Sequence, residues 1–320
     1  MKPKTNAMQI SYSQPLSSAW NRMKKALFQP FDINKWFRVG FTAWLAGLTD
    51  CHGNGSGNNT GSHNDWDAFF SFPQTAWDWL LDNPLWANLI IVGLIMLFLI
   101  ITVCLWVSSR AKFMFLHNVI HDKAEISKPW HEFRKQGNSL FLFEFFWGWF
   151  AFAVFALILV YSFITGKTLY ETHAPRAAVF AGILQMVLLF VAYLVVFGYI
   201  SLLLKDFVVQ IMYKQKVGIA RGWGKFLILF SKRSIPFIIY GLFIFVLGIG
   251  IMIAVLILAI ATCCVGLLLI AIPYIGAVVL LPISYTFRAF SIEFLAQFGD
   301  EYNVLPPKIN ISNDLETNEE

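Results

Sequence analysis

From Ser234 to Phe287 the chain carries no charged side chain at all. A soluble fold cannot hide that much unbroken apolar surface, and roughly 20 such residues already suffice to cross a hydrocarbon core. The run therefore predicts two crossings. Similar runs extend from Pro84 to Ser109, from Ser139 to Thr165 with only Glu144 interrupting, and from Ala177 to Leu204. A shorter run, Trp36 to Leu48, approaches spanning length if Phe31 to Lys35 join it at the interface, where a lysine stem lies along lipid and lifts its ammonium to water. Charged residues make up only 13% of the chain, against about a quarter in soluble domains. The expected fold is an all-α integral membrane protein with six transmembrane helices.

Basic residues set the expected orientation. Of the 24 lysines and arginines, all but Lys167 and Arg176 precede the first helix, sit at its start, lie between helices two and three or four and five, or follow the sixth. The loop from residue 49 to 83 has none and carries Asp50, Asp65, Asp67, Asp78 and Asp82. Cytoplasmic loops are the ones enriched in lysine and arginine, so both termini are expected in the cytoplasm. The net charge of +5 then describes one basic face suited to anionic lipid headgroups, and nucleic acid is not expected as a partner.

Three segments share a pattern. Residues 16–28, LSSAWNRMKKALF, place Leu16, Trp20, Met23 and Leu27 on one face and Asn21, Arg22, Lys24 and Lys25 on others, as expected of a helix lying flat in the interface. Trp20 and Met23 match Trp130 and Phe133, then Trp223 and Phe226: each pair sits on a basic segment just before an apolar run. The second, fourth and sixth helices also overrun the membrane past Arg110, Lys205 and Arg288, and these extensions are expected to pack on the interfacial helices. The expectation is three degenerate helical-hairpin repeats at about 13–120, 121–217 and 218–302, each preceded by an amphipathic interfacial helix, within one membrane domain, 1–302. Amphipathic segments simply recurring between membrane helices are the alternative. Residues 49–83 form the expected outer loop, with a Gly/Asn/Ser linker followed by a ring-rich stretch at the headgroups; residues 303–320 form a disordered cytoplasmic tail.

Glu144 is the one acid within a membrane run. It lies ~9 Å from the helix start at Asn138, deep enough to need a partner or a proton. Arg110, Lys205 and Arg288 are the candidate partners, in a structural ion pair or a substrate or proton site. Pro273 and Pro282 could break the last helix as transporters do, or reflect ordinary membrane-helix packing with the nearby glycines. His52, His63 and Asp65 flank a flexible linker too loose for a metal site, and no metal or cofactor is expected. Cys51 could pair with Cys263 or Cys264, or remain free. "LAGLTDC" resembles a lipoprotein processing site, but Asp50 stands where a small residue is needed. Catalytic signatures such as His-Glu-x-x-His or Gly-x-Ser-x-Gly are absent, so no enzymatic activity is expected.

"LFQPFDINKWFRVGFTAWLAGL", "SRAKFMFLHNVIHDKAEISKPWHEFRKQGNSLF" and "LPISYTFRAFSIEFLAQFGDEY" resemble a group of uncharacterised bacterial polytopic membrane proteins. Their layout is similar to the membrane domain attached to some glycerophosphoryl diester phosphodiesterases. The resemblance implies six helices and the bacterial inner membrane; lacking a soluble phosphodiesterase domain, the chain inherits no hydrolase activity. The expected role is non-catalytic, in membrane organisation or as a partner subunit contacting anionic lipid, with a transporter or permease for lipid or a small solute as the alternative.

Overall fold

The computed structural model describes residues 10–48, 66–262, 266, 270, 272 and 274–306. Among these the chain is helical, without a strand. Helices α1 (Ser13–Phe28), α2 (Ile33–Ala46), α3 (Trp66–Asp82), α4 (Pro84–His121), α5 (Ser127–Glu132), α6 (Arg134–Glu171) and α7 (Arg176–Leu203) come first. A single π turn, Leu204–Val208, leads into α8 (Val209–Gln215). Then come α9 (Ile219–Lys232), α10 (Ser234–Ala261), α11 (Ile275–Val279) and α12 (Leu281–Ala296).

Four of the described helices are long and apolar enough to cross a membrane: Pro84–His121, Arg134–Glu171, Arg176–Gln215 and Ser234–Ala261. At 1.5 Å per residue a helix of 38 residues, such as α4 or α6, reaches ~57 Å, nearly twice a hydrocarbon core. The expected overruns past Arg110 and Lys205 are thus continuous with their spans. By contrast α2 has 14 residues, only ~21 Å, and falls short of a crossing by itself. After Ala261 much of the long uncharged run lies outside the described residues, Pro273 included, and the next helices given a range are α11 and α12. The second half of the expected outer loop is helical: α3 continues through Pro73, and its linker, with Cys51, His52, His63 and Asp65, lies outside the described residues, as do Cys263 and Cys264.

The chain divides into two compact units. One gathers Met1–Ala46, Arg110–Leu140 and Leu202–Glu320. Its core consists of three overruns: Phe113, Met114 and Leu116 of α4; Phe207, Val209 and Met212 at the π turn and α8; Phe290, Phe294 and Leu295 of α12, all buried. Side chains tie the three together, because His117 Nδ1 lies 2.8 Å from the Tyr213 hydroxyl, Gln210 Nε2 donates to Ser291 Oγ at 2.8 Å, and the Tyr285 hydroxyl donates to the Val119 carbonyl at 3.3 Å. Each overrun carries one of the short basic helices. Phe133 stacks on Phe113 (5.9 Å), Phe226 stacks on Phe207 (5.7 Å), and α1 lies along α12, where Arg22 Nη2 donates to Glu293 at 3.1 Å.

On α1 the buried face is Ala19, Met23, Ala26 and Leu27, while Trp20 is 48% exposed. The expected apolar stripe through Trp20 is rotated because the helix packs on protein: two alanines allow α12 to approach, and the indole is left at the edge beneath Lys24, 5.5 Å above it. Pro15 sits in the first turn, where its missing N–H costs nothing. On α2 a Cβ at Gly40 would come within 2.6 Å of Val278 Cγ2, so glycine permits the contact with α11.

The second unit comprises Gly47–Ser109 and Phe141–Ser201. Its α6–α7 hairpin is stitched by rings, with Trp147 and Tyr193 each on Phe197 at 5.1 and 4.7 Å and the Tyr193 hydroxyl donating to the Ala151 carbonyl at 3.3 Å. His173, at φ 47°, closes α6, the Ala174 N–H returns to the Leu169 carbonyl, and Pro175 precedes α7. Nothing in the most apolar window of α4 or α6 is buried within the protein. Their backbones are satisfied internally by the helix, so hydrocarbon is a suitable solvent for those faces.

Candidate functional site

The π turn places a carboxylate and a guanidinium together inside the first unit. Asp206 lies in the turn itself, and its Oδ2 accepts a hydrogen bond from the buried Tyr240 hydroxyl of α10 at 2.9 Å. Arg288 of α12, only 3% exposed at its side chain, has Nη1 4.0 Å from Asp206 Oδ1. The same nitrogen donates to the Lys205 carbonyl at 2.6 Å. Within a π turn each N–H reaches one residue further back, as the Val209 N–H does to the Leu204 carbonyl; the altered ladder leaves the Lys205 carbonyl directed at Arg288. Ser291 Oγ donates to the Arg288 carbonyl at 2.9 Å and receives Gln210, whose buried Oε1 has no partner among the described residues. Four elements thus converge on one polar cluster.

The other expected residues stand elsewhere. In the second unit the Ser109 hydroxyl lies 2.8 Å from both Glu144 Oε2 and the Leu105 carbonyl. One hydroxyl proton serves one of these acceptors at a time. Arg110 donates from Nε and Nη2 to Asn138 Oδ1 at 3.1 and 2.8 Å, and its guanidinium lies 5.1 Å from the Trp130 ring centre. Gly137 makes that seat, since a Cβ there would fall 2.7 Å from Arg110 Cγ and 3.2 Å from its Cα. Gly137→Ala is expected to cost about 1–3 kcal/mol through overpacking, read as a lower melting temperature in detergent, while the open position Gly148 tolerates alanine. Trp223 is half-buried against Phe226 at 5.8 Å, and Pro282 occupies the first turn of α12 just past the break at Leu280.

Around the α4–α5 turn a second polar group assembles. His117 Nε2 lies 3.7 Å from Glu125, Asn118 Nδ2 donates to Thr42 Oγ1 at 3.4 Å, and the Glu125 N–H donates to Asn118 Oδ1. Lys216 Nζ donates to Glu132 at 3.0 Å, and that bond holds the Glu132 carboxyl below its ordinary range. The bond's contribution is present above the unfolded carboxylate pKa and lost as pH falls through the lowered one; exposure keeps it below about 1 kcal/mol. Among the described residues no group of three or more His, Cys, Asp or Glu could hold a metal, and Cys104 is a free thiol.

The sequence pattern pointed to Arg288 and Lys205 but not to Asp206, Tyr240 or Gln210. An acid directly after a lysine at the end of an apolar run reads as a solvated charge, and only the π turn directs it inward. A model described as a family of unknown function, DUF7544, matches residues 12–305. The chain belongs to that family. The match extends from the start of α1 region to just past α12 and so covers both units; it carries no link to the phosphodiesterase-associated membrane domain. No curated protein and no solved structure matches.

Proposed function

We propose that this DUF7544 chain is a non-catalytic, multi-pass inner-membrane protein whose basic helices hold anionic lipid at the cytoplasmic face. It acts there in membrane organisation or as a subunit of a larger assembly. The observation that carries the reading is the way α1 and α9 bury one face on the overruns, through Met23 and Phe226, while Lys24, Lys25, Arg221 and Lys232 remain exposed. Near an anionic surface each such charge contributes about 1 kcal/mol of attraction. The matching burial of Met23, Phe133 and Phe226 supports a threefold repeat, and with it six crossings and both termini in the cytoplasm. Reporter fusions at residue 60 and at the carboxyl end are expected on opposite sides of the membrane; the same side for both would remove this topology.

Lipid retention by the purified full chain tests the function directly. Phosphatidylglycerol is expected to be enriched over phosphatidylcholine, and Lys24→Gln with Lys25→Gln to reduce that enrichment by roughly tenfold. Equal retention of the two lipids by the unaltered chain would sink the proposal. The buried Asp206–Arg288 contact favours a second reading, a transporter or permease for a lipid or small solute. That reading needs solute or lipid flux in proteoliposomes which Asp206→Asn abolishes while the protein remains folded.

A further inference from the structure

Between the start of α2 and the turn after α4, both in the first unit, lies an open polar cleft of about 550 Å3. Its charged lining is Asp32, Lys35, Arg38, Asp122, Lys123 and Glu125. Two of the cations are met internally: Lys35 Nζ lies 2.9 Å from Asp122 Oδ1, and Lys123 Nζ 3.6 Å from Glu125 Oε1. Arg38 and Asp32 are different. Neither makes an ion pair with any described residue, and the one hydrogen bond involving the Asp32 side chain is the Asn34 N–H donated to Oδ1 at 2.8 Å, which caps α2. The cleft therefore offers one uncommitted guanidinium and one uncommitted carboxylate oxygen. Apolar side chains alternate with these charges in the sequence, and Phe31 is 61% and Ile33 58% exposed.

We propose that this cleft seats the phosphoethanolamine headgroup of a phospholipid, with the phosphate on Arg38, the primary ammonium on Asp32, and the glycerol end of the lipid against Phe31 and Ile33. The assignment rests on the proposed membrane topology, with Phe31 to Lys35 at the interface, but not on the anionic-lipid role of α1 and α9. Charge selects the ligand. A purely anionic headgroup would meet Asp32 without compensation, and a trimethylated choline has no N–H to donate to it. A guanidinium suits phosphate, which it binds through paired donors.

Native mass spectrometry of the full chain released from detergent micelles tests the site with phosphatidylethanolamine, phosphatidylcholine, phosphatidylglycerol and free O-phosphoethanolamine as probes. One phosphatidylethanolamine is expected to be retained per chain, about tenfold over phosphatidylcholine, and Arg38→Gln and Asp32→Asn are each expected to reduce its retention about tenfold. Asparagine keeps the helix cap, so the second variant separates charge from folding; a symmetric gel-filtration peak confirms both variants are intact. Those losses support the site even where phosphatidylglycerol shows no preference, so its fate is separable from that of the basic helices. Retention of phosphatidylcholine equal to phosphatidylethanolamine, or unchanged phosphatidylethanolamine binding in both variants, overturns the proposal. Displacement of the lipid by equimolar free O-phosphoethanolamine overturns the lipid source.

Discussion

Arg288→Met is expected to lower the stability of the purified chain by about 3–5 kcal/mol, because it leaves the Asp206 carboxylate inside the protein without its guanidinium. Arg288 also holds the Lys205 carbonyl at 2.6 Å, so the π turn loses a ligand for its displaced backbone at the same time. The readout is the melting temperature in a fixed detergent, with an expected fall of roughly 10 °C. The informative control is the double change. If the cost comes from a stranded carboxylate, Arg288→Met combined with Asp206→Leu recovers much of the loss, since an apolar pair of similar volume avoids the desolvation of both charges. Tyr240 then has a hydroxyl that needs a new acceptor, and Tyr240→Phe in the same background is expected to help further. An Arg288→Met variant that melts with the unaltered protein would show that the contact at 4.0 Å contributes little.

The same cluster shows where sequence pattern stops being informative. The uncharged runs located α4, α6, α7 and α10 directly, since hydrocarbon-length apolar stretches have few alternative uses. The overruns were legible too, because apolar residues continue past Arg110, Lys205 and Arg288 without a turn signal. What pattern could not supply was the partner of each polar group. Asp206 and Tyr240 meet across the α7–α10 connection, and Arg288 reaches them from α12, so the grouping exists only once three overruns have packed together. The π turn has no composition of its own; Leu204–Val208, LKDFV, would read as ordinary helix. The ring-rich stretch from Trp66 reads as a segment at the headgroups because its rings interleave with Asp67, Asp78 and Asp82; the spacing of three residues from Phe69 to Phe72 and of seven from Phe72 to Trp79 also suits one face of a helix, and α3 is one. In α2 the charge at Arg38 shortens the apolar length, and its small residues Gly40 and Ala46 are used for packing within the unit.

Phe226→Ala is expected to be the most costly single truncation among the short basic helices, at about 3–5 kcal/mol. Its ring is fully buried and contacts Phe207 at 5.7 Å, Phe237 at 5.3 Å and Phe230 at 5.9 Å, so alanine leaves a cavity bounded by rings that belong to different helices. Rings anchored on separate helices cannot collapse into it without moving α9 relative to the π turn. Trp223→Ala, one turn earlier and half-buried, is expected to cost clearly less, although tryptophan is the larger side chain. The order of the two effects is the test. A repeat built on a tryptophan at the edge and a large apolar residue in the core predicts the same ranking for Phe133 against Trp130 and for Met23 against Trp20, whose burial follows the same rule. Should Trp223→Ala prove the more damaging, the indoles would be the structural anchors, and the common register of the three segments would reflect protein packing of tryptophan instead of a ring left at the membrane surface.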